Sequence, residues 1–197
     1  RFLRERMEKA RQLVITNCKK NPLSSVVDFK IKKLMQLLNT NSYQKGAWVL
    51  HMLRKLMGDQ RFFGGITAYY RKFRNKTALT GDFQRVMEQV HGQKLDWFFK
   101  QWVFESGYPE LKGYWEYMKK TGQVYLHLKQ VQKGNRLFKI PIDIMVVFSD
   151  RVVPKTEGFL ISRKENSFAF KVPEAPGKVI LDPNVWLLME ADFKKKE

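Results

Sequence analysis

Residues able to carry catalysis are few in this sequence. The three histidines, His51, His91 and His127, form neither an H-E-x-x-H nor an H-x-x-x-H pair, so their spacing predicts no zinc site. Cys18 is the single cysteine, which excludes an intrachain disulfide and a thiolate zinc cluster. There is also no G-x-S-x-G, Walker or G-x-G-x-x-G motif, the signatures of serine hydrolases and of nucleotide and dinucleotide sites. Residue types alone therefore indicate no complete active site.

The composition is that of a packed globular chain with a strong positive charge. Of 197 residues, 44% are hydrophobic and 14% aromatic, and 37 Lys and Arg against 19 Asp and Glu give a formal charge of +18. Such a charge could attract nucleic acid or anionic lipid. The basic residues are interleaved with apolar ones at helical spacing, and zinc-finger, RNA-recognition and helix-turn-helix motifs are lacking, so a solvated basic face is favoured over nucleic-acid binding.

The longest apolar run, Ile144 to Phe148, is far shorter than the roughly 18 to 20 residues that cross a bilayer. We therefore expect a soluble chain without a membrane span. Neither the cytoplasm nor the periplasm or cell exterior is favoured as its compartment.

Helical periodicity dominates residues 1–105. Apolar residues spaced three and four apart predict helices over 2–17, 43–57, 59–73, 80–91 and 95–104. In the second of these, one face is shared by Tyr43, Gly46, Ala47, Leu50, Leu53 and Met57. Asn39 to Ser42 form a polar cluster suited to capping, and Asp59 and Thr80 are predicted caps of the two helices that follow. Gly64 and Gly65 each cost about 1 kcal/mol relative to alanine, which packing must offset.

The pattern changes to strand alternation after Gly107–Pro109. Apolar residues alternate or form short runs at 124–128, 140–146, 159–161, 168–172 and 179–181. This spacing predicts a β-sandwich or barrel-like unit of about six to seven strands. The expected fold class is α+β, with a helical domain over 1–105 and a β-sandwich domain over 106–197.

The second predicted helix carries a motif that resembles a known family. The run from Tyr43 to Arg54 is similar to the Y-x-K-G-A-x-V-L-x-M-L-R stretch of the aminopeptidase N family of zinc metallopeptidases, the gluzincin aminopeptidases, in their bacterial-type form. Further family motifs follow in order: Phe62 with Tyr69-Tyr70, T-x-D-F at Thr80–Phe83, L-x-x-F-F-x-Q-W at Leu95–Trp102, and G-Y-P at Gly107–Pro109. The resemblance covers roughly residues 40 to 187. So many motifs matching in the family's order are not expected by chance.

The resemblance implies a fold and a catalytic residue. Residues 1–105 would be the helical end of a thermolysin-like catalytic domain, and 106–197 the β-sandwich after it. In the family, a zinc ion held by H-E-x-x-H and a downstream glutamate activates water, and the tyrosine of Y-x-K-G donates a hydrogen bond to the oxyanion. Here that tyrosine is Tyr43, the one catalytic residue assigned; without the resemblance it would be a core tyrosine at the start of an apolar stripe. Gly46 is interpreted as a site of close helix approach and Lys45 as a solvated or ion-paired side chain.

The same resemblance implies that essential parts lie elsewhere. In the family, the zinc motif and the G-x-M-E-N segment that grips the substrate's amino group lie upstream, and this sequence contains neither. We therefore expect a fragment of a zinc aminopeptidase that acts on peptide substrates together with a missing N-terminal zinc-bearing portion. By itself it should hold no metal and be inactive. The alternatives are a non-catalytic relative or scaffold that uses the helical and β-sandwich unit for protein binding, and a basic nucleic-acid-binding domain.

Overall fold

The computed structural model describes residues 2–29, 31, 33–149 and 151–196. The chain divides into two compact units, Arg1–Gly107 and Tyr108–Glu197. The first unit is helical and the second is built of strands, so the predicted α+β class is confirmed. Among the described residues, no helix combines the length and apolarity needed to span a membrane.

In its described residues, the helical unit contains five α-helices and three short helical turns. They are α1 Phe2–Lys20, a 3-10 turn Leu34–Leu37, a π turn Asn41–Lys45 that runs directly into α2 Gly46–Met57, α3 Asp59–Phe73, α4 Thr80–His91, and α5 Asp96–Phe99, which continues as a π turn Lys100–Phe104. Its core is built from large side chains such as Trp48, Leu53, Met87, Phe99 and Trp102, all at most 2% exposed.

The helix ends differ in part from those expected. Gly92 ends α4 in the left-handed conformation, as its sequence position predicts. The prediction that Thr80 caps α4 is wrong, because Leu79 occupies the N-cap position. Asp82, in the first turn, closes the helix start from inside, because its carboxylate accepts a hydrogen bond of 2.9 Å from the Leu79 N–H. Asp59 is likewise the first residue of α3 rather than its cap, and its carboxylate is held by the guanidinium of Arg54.

The two glycines of α3 have different surroundings. A Cβ added at Gly65 would lie 2.5 Å from the sulfur of Met87, so Gly65 allows α3 and α4 to approach closely. A Cβ at Gly64 would meet only Val90, at 3.8 Å. Packing therefore offsets the helix-propensity cost of Gly65 and not that of Gly64.

The part of the second unit that the structure describes contains seven strands in two sheets. They are β1 Glu110–Met118, β2 Gln123–Gln130, β3 Ile140–Val147, β4 Lys155–Ile161, β5 Glu165–Lys171, β6 Lys178–Leu181 and β7 Glu190–Lys195. The four-stranded sheet has the order β5-β2-β1-β7 and the three-stranded sheet the order β4-β3-β6. All pairs are antiparallel except β1 with β7, which is parallel.

Alternating burial along β2 and β3 builds the core of the sandwich. Val124, Leu126 and Leu128 of β2 are completely buried, and every second residue of β3 from Ile140 to Val146 is at most 1% exposed. The two sheets meet at β4 and β5, where the ring of Phe159 lies 4.5 Å from that of Phe168. Period 2 in the sequence thus corresponds to one face of each sheet turned inward.

Candidate functional site

Tyr43 lies at the centre of the π turn that begins α2. In this turn the N–H of Gly46 donates to the carbonyl of Asn41, five residues earlier. Single π turns inside helices occur frequently at functional sites. The Tyr43 side chain is 59% exposed, whereas Asn41 and Lys45 on either side of it are 3% and 0% exposed. Tyr43 is therefore not a core residue, and the reading of it as the start of a buried stripe is wrong.

A groove of about 600 Å³ lies beside Tyr43, between α1 and the start of α2. Tyr43, Gln44 and Ala47 form one side of the groove. Apolar side chains of α1, including Leu3 and Leu13, form the other, together with charged ones such as Arg6. Leu3 and Leu13 are more than half exposed, so the groove is an open apolar surface with a phenol at its edge.

The buried face of α2 is not the one expected from the sequence. Tyr43, Ala47 and Leu50 of the predicted stripe are exposed, and only Leu53 and Met57 are buried as expected. The remaining buried positions of α2 are Trp48, Val49 and Met52. The π turn ends at Lys45, whereas Ala47 and Leu50 lie after it, so the mismatch is not confined to the turn but is present within the regular helix. The predicted stripe overlaps the buried face of α2 only at its C-terminal end.

Asparagine side chains hold the start of the Tyr43 turn. The Oδ1 of Asn39 accepts from the N–H groups of Asn41 and Ser42, at 2.8 and 3.2 Å, which confirms the predicted capping role of this polar cluster. The Asn41 side chain then makes two bonds of its own. Its Oδ1 accepts from Asn17 Nδ2 at 3.1 Å, and its Nδ2 donates to Ser24 Oγ at 2.8 Å. The turn is thereby tied to the C-terminal end of α1.

Lys45 holds the other end of the turn. Of the two alternatives predicted for Lys45, a solvated or an ion-paired side chain, the solvated one is wrong, because Lys45 is fully buried and its Nζ donates to the carbonyl of Glu105 at 3.4 Å. Cys18 lies close enough for the two groups to interact electrostatically. Burial raises the pKa of the Cys18 thiol, and the Lys45 charge opposes that rise only in part, so Cys18 is a neutral thiol at neutral pH. The burial of Asn41 and Lys45 and their contacts with distant residues are not predicted by the sequence pattern, which offers no periodic signal for either residue.

The histidines stand in three different environments. His51 on α2 meets the Trp48 ring edge-on at 5.5 Å. His91 is buried at the end of α4, and burial, with a smaller effect of Arg61, lowers its pKa. His127 on β2 stacks on Tyr114 and lies 3.2 Å from Ser167 Oγ. Across the described ranges, no three His, Cys, Asp or Glu side chains come together to hold a metal. These residues do not fit a catalytic zinc ion.

Comparison with known proteins assigns the family. A sequence model of the peptidase family M1 domain matches residues 4–102, half of the chain. The chain belongs to peptidase family M1. This confirms the resemblance seen in the Tyr43 motif. Aminopeptidases of family M1 are in general zinc enzymes. Among the similar proteins is the aminopeptidase N of Lactococcus lactis, which is 27% identical over 104 residues.

Other M1 relatives match the chain over part of their length. Aminopeptidase M1-C of Oryza sativa subsp. japonica is 34% identical over 83 residues, which is 40% of this chain and 10% of that protein. Probable aminopeptidase 2 of Sulfurisphaera tokodaii is 29% identical over 121 residues, 58% of this chain and 15% of that protein. The crystal structure of Legionella pneumophila aminopeptidase A in complex with aspartic acid has the same fold, with a TM-score of 0.71 at 21% identity over 84% of this chain and 19% of that one. This M1 chain thus spans less than a fifth of the length of these relatives.

Proposed function

We propose that this chain supplies part of the active site of a zinc aminopeptidase that cleaves N-terminal residues from peptides, with Tyr43 as a catalytic residue. The observation that carries the proposal is the exposed phenol of Tyr43 at the edge of an open groove, on a helical turn whose neighbouring polar side chains are buried. Membership of family M1 and the Y-x-K-G sequence at Tyr43–Gly46 support the same role.

The Tyr43 hydroxyl would act as a hydrogen-bond donor to the oxyanion that forms when water adds to the scissile carbonyl. A phenol O–H donates a hydrogen bond without transferring its hydrogen, so the group is unchanged at the end of the reaction. A donor that is already aimed at the developing charge needs no reorganisation during the reaction, which is the source of its catalytic effect. Removing one such donor from an enzyme costs about 100- to 1000-fold in kcat.

The zinc ligands and the groups that bind the substrate's amino terminus would come from other residues of a longer protein. Two findings support this division. The described residues offer no metal-binding cluster, and the chain spans less than a fifth of the length of its M1 relatives. The helical unit would then be the closing part of the catalytic domain, and Tyr108–Glu197 the β-sandwich domain that follows it in sequence.

The first experiment uses the chain as it stands. The purified chain is analysed for metal and assayed with aminoacyl-anilide substrates in the presence of zinc. We expect no stoichiometric zinc and no turnover. One zinc ion per chain together with turnover would overturn the proposal that the chain needs a partner segment for catalysis.

The second experiment tests Tyr43 in a longer protein that includes the upstream zinc-binding segment. Tyr43→Phe is compared with Tyr70→Phe, since Tyr70 is a similarly exposed tyrosine on α3. We expect Tyr43→Phe to lower kcat about 100-fold or more and Tyr70→Phe to leave it within about twofold. Equal activities of the two variants would contradict the role of Tyr43. A longer protein that lacks H-E-x-x-H, or is inactive with zinc bound, would favour the scaffold alternative.

A further inference from the structure

We propose that Asn41 and Lys45 are positioning residues that fix the direction of the Tyr43 phenol; this inference rests on the proposed catalytic role of Tyr43. Each lies two residues from Tyr43 along the π turn, one before it and one after it. Both are polar, and both are almost completely buried. The pair therefore holds the turn at its two ends while the residue between them stays exposed.

The need for such anchoring follows from the exposure of Tyr43. Because 59% of its surface is open, few packing contacts of its own can fix where the hydroxyl points. A π turn is also a rare backbone form that persists where its surroundings hold it in place. The direction of the phenol must then come from the backbone, and the backbone is held by the residues on either side.

Asn41 ties the turn to α1. Its Oδ1 accepts from Asn17, and its Nδ2 donates to the oxygen of Ser24. The hydroxyl hydrogen of Ser24 is directed to the carbonyl of Asn21 at 2.9 Å, so the Ser24 oxygen acts as the acceptor for Asn41. The Asn21 side chain in turn donates to Asn17 Oδ1 at 3.2 Å, which closes a ring of hydrogen bonds that passes through the Asn21 backbone carbonyl at the end of α1. The amide of Asn41 is thus oriented by partners that are themselves hydrogen-bonded.

Lys45 ties the turn to a different helix. Its ammonium reaches the carbonyl of Glu105, the residue that ends the helical run Asp96–Phe104. Glu105 is extended, so the contact is a charge-assisted hydrogen bond to a backbone carbonyl just past the end of the run. Burying an ammonium group is costly, and an apolar residue would fill the same volume without that cost. A purely packing role therefore does not account for a lysine at this position.

Asn41 and Lys45 bind to different elements: Asn41 to the C-terminal end of α1, and Lys45 to the end of the 96–104 run. Rotation of the turn about the axis of α2 would have to break at least one of these contacts. Displacements of about 1 Å at a reacting group can cost about 100-fold in rate. Loss of either anchor should therefore lower kcat through Tyr43, with little effect on substrate binding.

A double-mutant cycle tests this in the longer zinc-containing enzyme. Asn41→Ala is measured in the Tyr43 background and in the Tyr43→Phe background. In the first, kcat should fall about 10- to 100-fold with KM changed less than about twofold. In the second, the further loss should be less than about twofold, because residues that act through one group are not additive. Lys45→Met, which keeps an unbranched side chain of nearly the same length and removes the ammonium, should give the same pattern.

A matched control is available in the strand unit. Asn166 is also a buried asparagine that accepts from two backbone N–H groups and donates to a carbonyl. Asn166→Ala should leave kcat within about twofold at temperatures below its melting transition. Activities are compared only for variants that circular dichroism shows to be folded. If Asn41→Ala fails to fold, Lys45→Met takes its place in the cycle, and the reverse.

The outcomes separate the two proposals. If Tyr43→Phe itself leaves kcat unchanged, the proposed function fails. If Tyr43→Phe is costly but Asn41→Ala and Lys45→Met cost as much with Phe at position 43 as with Tyr, the positioning inference fails alone. An equal loss from Asn166→Ala would also refute it, since the effect would then be one of general stability.

Discussion

The backbone of β1 and β2 approaches closely at Gly113, and replacing this glycine should weaken the strand unit. A Cβ added at Gly113 would lie 2.1 Å from the carbonyl oxygen of His127 and 2.8 Å from a methyl group of Leu128. Ordinary contacts to a Cβ begin near 3.4 Å, so the two strands would have to separate locally by about 1.3 Å. Leu128 is completely buried, so its movement would also disturb the core.

The cost of Gly113→Ala follows from that displacement. Hydrogen bonds of about 2.9 Å stretched by more than 1 Å are no longer bonds, and two lost ladder bonds at about 1 kcal/mol each give about 2 kcal/mol. The reduced entropy of the unfolded chain returns about 0.4 to 1 kcal/mol, and the disturbed packing around Leu128 adds a loss of similar size. A net loss of about 2 kcal/mol should lower Tm by roughly 8 to 16 °C if the strand unit unfolds as one domain.

Thermal unfolding followed by circular dichroism measures this effect, with Gly158→Ala as the matched control. Gly158 lies in β4, and a Cβ there would meet only Asp143 Oδ1, at 3.8 Å. The Tm of Gly158→Ala should stay within a few degrees of that of the original protein, because the free energy of unfolding should change by less than about 1 kcal/mol. If Gly113→Ala melts at the same temperature as Gly158→Ala, the close approach of β1 and β2 is not as described.

Three further predictions concern the helical unit. Gly64→Ala should raise the free energy of unfolding by up to about 1 kcal/mol, whereas Gly65→Ala, which meets the Met87 sulfur, should show no such gain; urea titration of both variants decides this. Because burial lowers the pKa of His91 from 6.5, its contribution to stability is complete above that pH and is lost as pH falls below it. His91→Gln should therefore flatten the decline in unfolding free energy between pH 7 and 5, by at most about 1.4 kcal/mol per pH unit, and an unchanged slope would be inconsistent with this. Cys18, buried and with a raised pKa, should react with a thiol reagent only after denaturation; rapid labelling of the native chain would contradict its burial.

Sequence patterns predict the elements of this chain better than the faces they bury. A 3.6-residue period of apolar side chains locates the helices, and a 2-residue period locates most strands. Both periods arise because apolar side chains on one face of an element are buried away from water. β7 escapes prediction because it is a lysine-rich edge strand, Glu190–Lys195, whose pairing with β1 is a long-range event. Lys45 escapes because a lysine is almost never fully buried without partners, and those partners come from distant parts of the chain.

The Tyr43 region shows both the strength and the limit of motif reasoning. The Y-x-K-G-A motif indicates the family, which the match over residues 4–102 confirms. The role of Tyr43 stays a prediction. The hydrogen bonds that hold Asn41 could not be predicted, because its partners Asn17 and Ser24 are 24 and 17 residues away in sequence and contact Asn41 only in the folded chain. Polar side chains that serve as internal anchors carry no periodic signal of their own.

Binding of a tetrahedral inhibitor tests the oxyanion role of Tyr43 most directly. In the longer zinc-containing enzyme, Tyr43→Phe should weaken binding of a phosphinic peptide, which mimics the tetrahedral intermediate, by the same factor by which it lowers kcat/KM, about 100-fold. Binding of the product amino acid, which has no such oxyanion, should change less than about twofold. If the phosphinic peptide binds Tyr43→Phe as tightly as the original enzyme, Tyr43 does not stabilise the oxyanion.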